Sequence, residues 1–147
     1  MQWALLLFAG FAGALNAVQN GANTRLNKAF DAPGWTVALI GAVTMLSGVA
    51  YALGSRARVP SAAMATDGPW WMWIGGVFGA LFVLSSLLVA SKVGAGTFVG
   101  VTVTAGIVTS LLLDHFGLVG FPVHPAGWGR IAGGALMVAG LALIARF

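Results

Sequence analysis

The chain has 147 residues, 59% of them hydrophobic and only 7% charged, with seven Lys and Arg against three Asp and Glu. So few charges cannot clothe a soluble protein of this size, which excludes a water-soluble enzyme and, despite the net charge of +4, a nucleic-acid-binding domain. The composition is that of an all-α integral membrane protein, and the mean hydropathy of +0.96 agrees.

Five apolar stretches follow in chain order, at about 4–22, 35–54, 70–91, 93–113 and 126–145, within a single membrane domain over 1–147. Each is close to twenty residues, which at 1.5 Å rise gives roughly 30 Å, the hydrocarbon thickness. Backbone groups in lipid must be satisfied within the segment, so all five are read as transmembrane helices. The first stretch offers small residues for cleavage at Ala12, Ala14 and Ala17, but it has no basic leader and runs into a polar stripe, so it is read as a retained span. Trp3, Trp35, Trp70, Trp71, Trp73 and Trp128 all sit at or just before the start of a span, where indoles prefer the headgroup level. An interfacial belt explains them, and an aromatic box for an organic cation at Trp70, Trp71 and Trp73 is the sharper alternative.

The polar stripe is the clearest functional signal. Asn16, Gln19, Asn20, Asn23 and Asn27 recur at intervals of three and four and fall within about a 100° arc of one helix. Amides in hydrocarbon need partners, so this face meets another helix or a wet cavity. Asn16 and Gln19, the deeper pair, read as cavity lining for a polar or cationic solute. Asn20 and Asn23 are further lining candidates, although for Asn23 and Asn27, nearer the surface, capping or solvent exposure is the favoured reading. Interhelical glue is the alternative for the whole stripe. In the fourth span Thr102 and Thr109, seven apart, are positioned to stack along one face and join the cavity, against the usual return of a Thr hydroxyl to its own helix. Ser85 and Ser86 in the third span carry a weaker version of the same reading.

Small residues recur four apart at Gly75, Gly76 and Gly79 with Ala80, and at Gly129 and Gly133 beside Gly134. Such spacing lets backbones approach, so these positions are expected to pack helices or form a dimer face. Asp114 beside His115 is a candidate proton relay, or simply a helix-end feature. There is no Cys and no Glu, and no metal or nucleophile constellation can be assembled, so no catalysis, metal or cofactor is expected. Lys and Arg divide almost evenly, with Arg56, Arg58 and Arg130 on the N-terminal side and Arg25, Lys28, Lys92 and Arg146 on the other. The small excess puts the C-terminus in the cytoplasm, and the near balance also suits insertion both ways with pairing as an antiparallel homodimer.

The run Gly13-Ala14-Leu15-Asn16-Ala17-Val18-Gln19 with Asn23 and Leu26, then Pro69-Trp70-Trp71 with Gly75-Gly76, and Leu113-Asp114-His115-Phe116-Gly117 resembles the YdcZ-like family, the short branch of the drug/metabolite transporter superfamily. Where that family usually carries a glutamine after the glycine of the fourth span, this chain has Gly106-Ile107. The resemblance implies a five-helix protein of the bacterial inner membrane, equivalent to half of a ten-helix transporter. Such a half would pair with itself or with a sibling five-span chain in inverted orientation, making a midplane site for a small organic solute. The first-helix glutamate of the four-span multidrug transporters is absent, so their proton-coupled antiport is not implied. A non-transporting scaffold or assembly subunit, and a passive channel, are the rival readings.

Overall fold

The computed structural model describes residues 2–61, 63 and 67–146, and these are helical almost throughout. Five helices are long and apolar enough to cross a membrane: α1 Gln2–Phe30, α2 Pro33–Gly54, α3 Trp70–Val93, α4 Ala95–Phe116 and α5 Trp128–Arg146. The middle of the predicted connection between the second and third spans, at residues 62 and 64–66, lies outside the described residues, as do the terminal residues 1 and 147 of the predicted domain.

Most boundaries shift from the sequence reading, and three of the shifts have a visible cause. The first span was expected to end at residue 22, but α1 continues to Phe30 through Asn23, Arg25, Asn27 and Lys28. Those residues depress hydropathy without breaking a helix, since nothing between Ala22 and Phe30 is a Pro or a Gly. The helix stops at Asp31, whose backbone is left-handed (φ 50°) and whose N–H donates to the Asn27 carbonyl at 2.8 Å. Pro33 then opens α2 with its φ already set and no N–H left unpaired. The second difference is at the α3–α4 junction. Val93 ends α3 rather than opening α4, because Gly94 takes φ 90°, a conformation that favours glycine. The third is at the other end of α4, which runs past residue 113 to Phe116 and closes on Gly117 at φ 61°.

α3 is not uniform. It opens with a 3₁₀ turn at Trp70–Trp73, continues as α-helix over Ile74–Ser85, and widens into a π turn at Ser86–Ala90. Such a turn inserts a residue into the helical register and is often found at functional positions.

By proximity the chain divides into two units, Met1–Ser91 and Lys92–Phe147. In the first, α1 packs on α2 and on the π turn of α3, and α2 packs on the α-helical part of α3. In the second, α4 and α5 pack on each other. Buried apolar side chains are scarce: among the described residues only Leu87, Ala90 and Phe98 qualify. No span has more than 11% of its most apolar window buried. The apolar surface is turned outward, as expected where the solvent is hydrocarbon.

Candidate functional site

The site is built on the amide stripe of α1. α1, α2 and α3 of the first unit enclose a cavity of about 450 Å³, within the size range of small-molecule sites. Asn16, Gln19, Asn20 and Asn23 form its polar wall, Thr44 adds a hydroxyl from α2, and Gly76 and Gly79 leave the α3 side bare. The rest of the lining is apolar, including Ile40 and Phe82. No lining residue is ionisable, so recognition there rests on hydrogen bonds and apolar contact.

The four amides are held differently. Asn20 is buried and bonded at both ends: its Oδ1 accepts from the Ser86 hydroxyl at 3.1 Å, and its Nδ2 donates to Asn16 Oδ1 at 3.2 Å. Ser86, on the π turn, is fully buried. Asn23 is buried too, so the favoured reading of capping or solvent exposure does not describe it. Asn27 lies beyond the cavity lining, and its Oδ1 accepts from the fully buried hydroxyl of Thr36 at 3.2 Å, fastening α1 to α2. Asn16 and Gln19 are exposed at the cavity mouth. Among the described residues the side chains of Gln19 and Asn23 make no hydrogen bond.

The other predicted site residues are placed apart from this cavity's lining. Trp70 and Trp71 stand on the opening 3₁₀ turn of α3, both exposed. Thr102 belongs to the second unit, and its hydroxyl returns to its own helix, at 3.0 Å from the Phe98 carbonyl and 3.1 Å from that of Val99. Asp114 and His115 are engaged separately. Asp114 Oδ2 accepts from Arg130 at 2.7 Å, while His115 Nδ1 accepts from the Ala126 N–H at 3.1 Å. Arg130 also donates to the His124 carbonyl at 3.0 Å, and the His124 N–H reaches back to the Asp114 carbonyl at 2.7 Å. This set clasps the loop between α4 and α5, and no hydrogen bond joins Asp114 to His115 among the described residues.

The glycines also divide. A methyl group at Gly75, Gly76, Gly79, Gly129 or Gly133 would meet nothing within 4 Å, so among the described residues these positions make no close helix contact, which leaves the expected dimer face open. Only Gly134 of the predicted set packs, with a methyl position 3.3 Å from Leu111 Cδ1. Gly100 is tighter, at 2.8 Å from Leu141 Cδ1. Spacing alone identifies a bare face and carries no sign of whether a neighbour covers it.

The family model described as "Putative inner membrane exporter, YdcZ" matches residues 4–143. The chain belongs to the YdcZ family. Inner membrane protein YdcZ of Escherichia coli (strain K12) is 39% identical to this chain over 77 residues, which are 52% of this chain and 51% of that relative. The match therefore spans about half the length of that curated relative. No solved structure matches the chain. With five apolar spanning helices, this YdcZ-family chain is a multi-pass protein of the inner membrane, and the description of its family is that of an exporter.

Sequence reasoning gave Ser86 only a weak place beside Thr102, and it missed Thr44 and the whole α2 wall. The only signal for Ser86 was a hydroxyl in an apolar run, which is usually satisfied by its own helix.

Proposed function

We propose that this chain is half of an exporter of drug/metabolite-transporter type. Two copies, or one copy and a sibling five-span chain, pair in inverted orientation, and the α1–α3 cavity of each half contributes to a midplane site for a small organic solute. The observation that carries the reading is the exposed pair Asn16 and Gln19, midway along a 29-residue spanning helix and bordering a void. Amides at that depth are costly against acyl chains, and a covering partner with a wet cavity removes the cost. The uncovered glycine faces of Gly129 and Gly133 give a pairing surface where backbones can approach. The near-even distribution of Lys and Arg suits insertion in both orientations. A dry scaffold would pair its amides with one another and leave no void beside them.

The test is replacement of Asn16 and Gln19 by Leu, singly and together, with solute efflux measured from cells or proteoliposomes and the oligomer followed by crosslinking. Loss of efflux with the dimer retained is the expected outcome. Efflux that survives the double substitution would reduce the stripe to packing. A reporter tag on either terminus should by itself give signal from both sides of the membrane, and a tag seen from one side only would remove the inverted homodimer.

A further inference from the structure

The amides at the cavity form a chain with a direction. Ser86 has one hydrogen to give and gives it to Asn20 Oδ1. Asn20 is thereby turned so that its Nδ2 faces Asn16, and it donates to Asn16 Oδ1. Asn16 in turn has one lone pair of its Oδ1 engaged, and its Nδ2 makes no hydrogen bond among the described residues. The wholly uncommitted end of this amide is its NH₂, a donor. Reversing the chain would have Asn20 donate to Ser86 and turn the Ser86 hydrogen back to a carbonyl of its own helix, whereas the structure has that hydrogen on Asn20 Oδ1. Opposite, the Thr44 hydroxyl donates to the Ile40 carbonyl at 2.9 Å, so it shows the cavity only lone pairs. Gln19 and Asn23 are not fixed in this way and can present either end.

We infer that Ser86 is a positioning residue that sets the polarity of the Asn20–Asn16 chain, so that Asn16 offers an oriented N–H donor to a solute that is uncharged and carries a strong acceptor oxygen, such as a carbonyl, sulfoxide or phosphoryl group. The inference rests on the proposed transport site and narrows its substrate class. The absence of ionisable groups from the lining argues in the same direction, since an ion desolvated there would find no countercharge. The π turn has a role on this reading, because it carries the Ser86 hydroxyl that meets Asn20.

Triethylphosphine oxide tests the inference directly. It is neutral, accepts but cannot donate, and its ³¹P resonance moves downfield as its oxygen receives a hydrogen bond. The tetraethylphosphonium cation is a probe of similar size with no acceptor. Both are titrated against the full chain in a phosphorus-free maltoside detergent, with empty micelles as the blank. The intact chain should give a saturable oxide signal beyond the empty-micelle blank, upfield of the water-bonded position because one N–H replaces several water hydrogens, and none with the cation. Ser86→Ala should weaken oxide binding by up to about tenfold, the scale of one hydrogen bond, and Ser86→Cys, a weaker donor, should fall between. Asn16→Asp keeps the shape but shows carboxylate oxygen to the cavity, and should exchange preference for the oxide for preference for the cation. Unchanged oxide affinity in Ser86→Ala, with helicity intact, or retained oxide preference in Asn16→Asp, overturns the inference. If efflux is lost in Asn16→Leu while Ser86→Ala leaves the oxide shift unchanged, the transport site stands and only its polarity is wrong. If neither probe gives a saturable shift with the intact chain, the inference fails, and efflux in Asn16→Leu then decides the transport reading by itself.

Discussion

In α1–α3, Gln19 and Asn23 make no side-chain hydrogen bond among the described residues and border a void, and the glycines of α3 touch nothing. In the α4–α5 hairpin, Asp114, His115, His124 and Arg130 are all tied to one another or to backbone, and Gly100 and Gly134 lie against leucines. The hairpin also has a cavity, at about 560 Å³ somewhat larger, but it is almost wholly apolar, with His115 at its edge. Size therefore does not mark the candidate site. Hydrogen-bonding capacity left unused in apolar surroundings does, because it is costly until something fills it. The polar groups of the hairpin are met from within it, whereas on the proposed reading the first unit is completed by a partner.

The same substitution in the two regions should break or sharpen this contrast. Gly79→Leu places a side chain in the cavity with no neighbour within 4 Å of its first carbon. Efflux should fall to background while the unfolding midpoint of the purified chain barely moves, by less than about 0.5 kcal/mol. Gly100→Leu begins 2.8 Å from Leu141 Cδ1 and must displace it. Overpacking of that kind should cost about 1–3 kcal/mol, read as a lowered denaturant midpoint in detergent. Stability lost at Gly79 and kept at Gly100 would reverse the assignment of site and scaffold.

The contrast was only partly legible in the sequence. Apolar runs of about twenty residues placed all five helices, because the bilayer imposes that length. The last turns of α1 were missed because Asn23, Arg25, Asn27 and Lys28 look like a loop to any measure of hydropathy. What holds them is Thr36, a contact between two helices that no local pattern encodes. The amide stripe was visible at helical spacing, and so was its need for polar company. Its division into the fixed Asn20 and the uncommitted Gln19 and Asn23 was not, since that depends on Ser86 arriving from 66 residues away. Glycine spacing likewise showed where neighbours could approach, and the void beside Gly76 and Gly79 depends on where α1 and α2 lie.

Thr36 offers a smaller effect within the first unit. Its hydroxyl lies 3.2 Å from Asn27 Oδ1 and 3.1 Å from the Ala32 carbonyl, in a position with no exposure. Thr36→Val keeps the shape and removes the donor, leaving Asn27 without that partner. The cost should be about 1 kcal/mol, and added protease sensitivity should appear at the α1–α2 turn before anywhere else. Uniform destabilisation along the chain would mean that Asn27 and Thr36 do not hold that turn.

The smallest effect belongs to the ion pair of the hairpin. Arg130 and Asp114 meet at 2.7 Å, but their side chains remain 43% and 23% exposed. Screening and side-chain entropy hold such pairs to about 0.2–1 kcal/mol. Asp114→Asn, Arg130→Gln and the double variant should show a coupling energy in that range from their unfolding midpoints. Efflux should fall no further than stability does, because Asp114 is bound to Arg130 rather than to His115. A loss of efflux in Asp114→Asn at unchanged stability would instead give this carboxylate the proton-carrying role that its position beside His115 suggests, and the hairpin would no longer be scaffold alone.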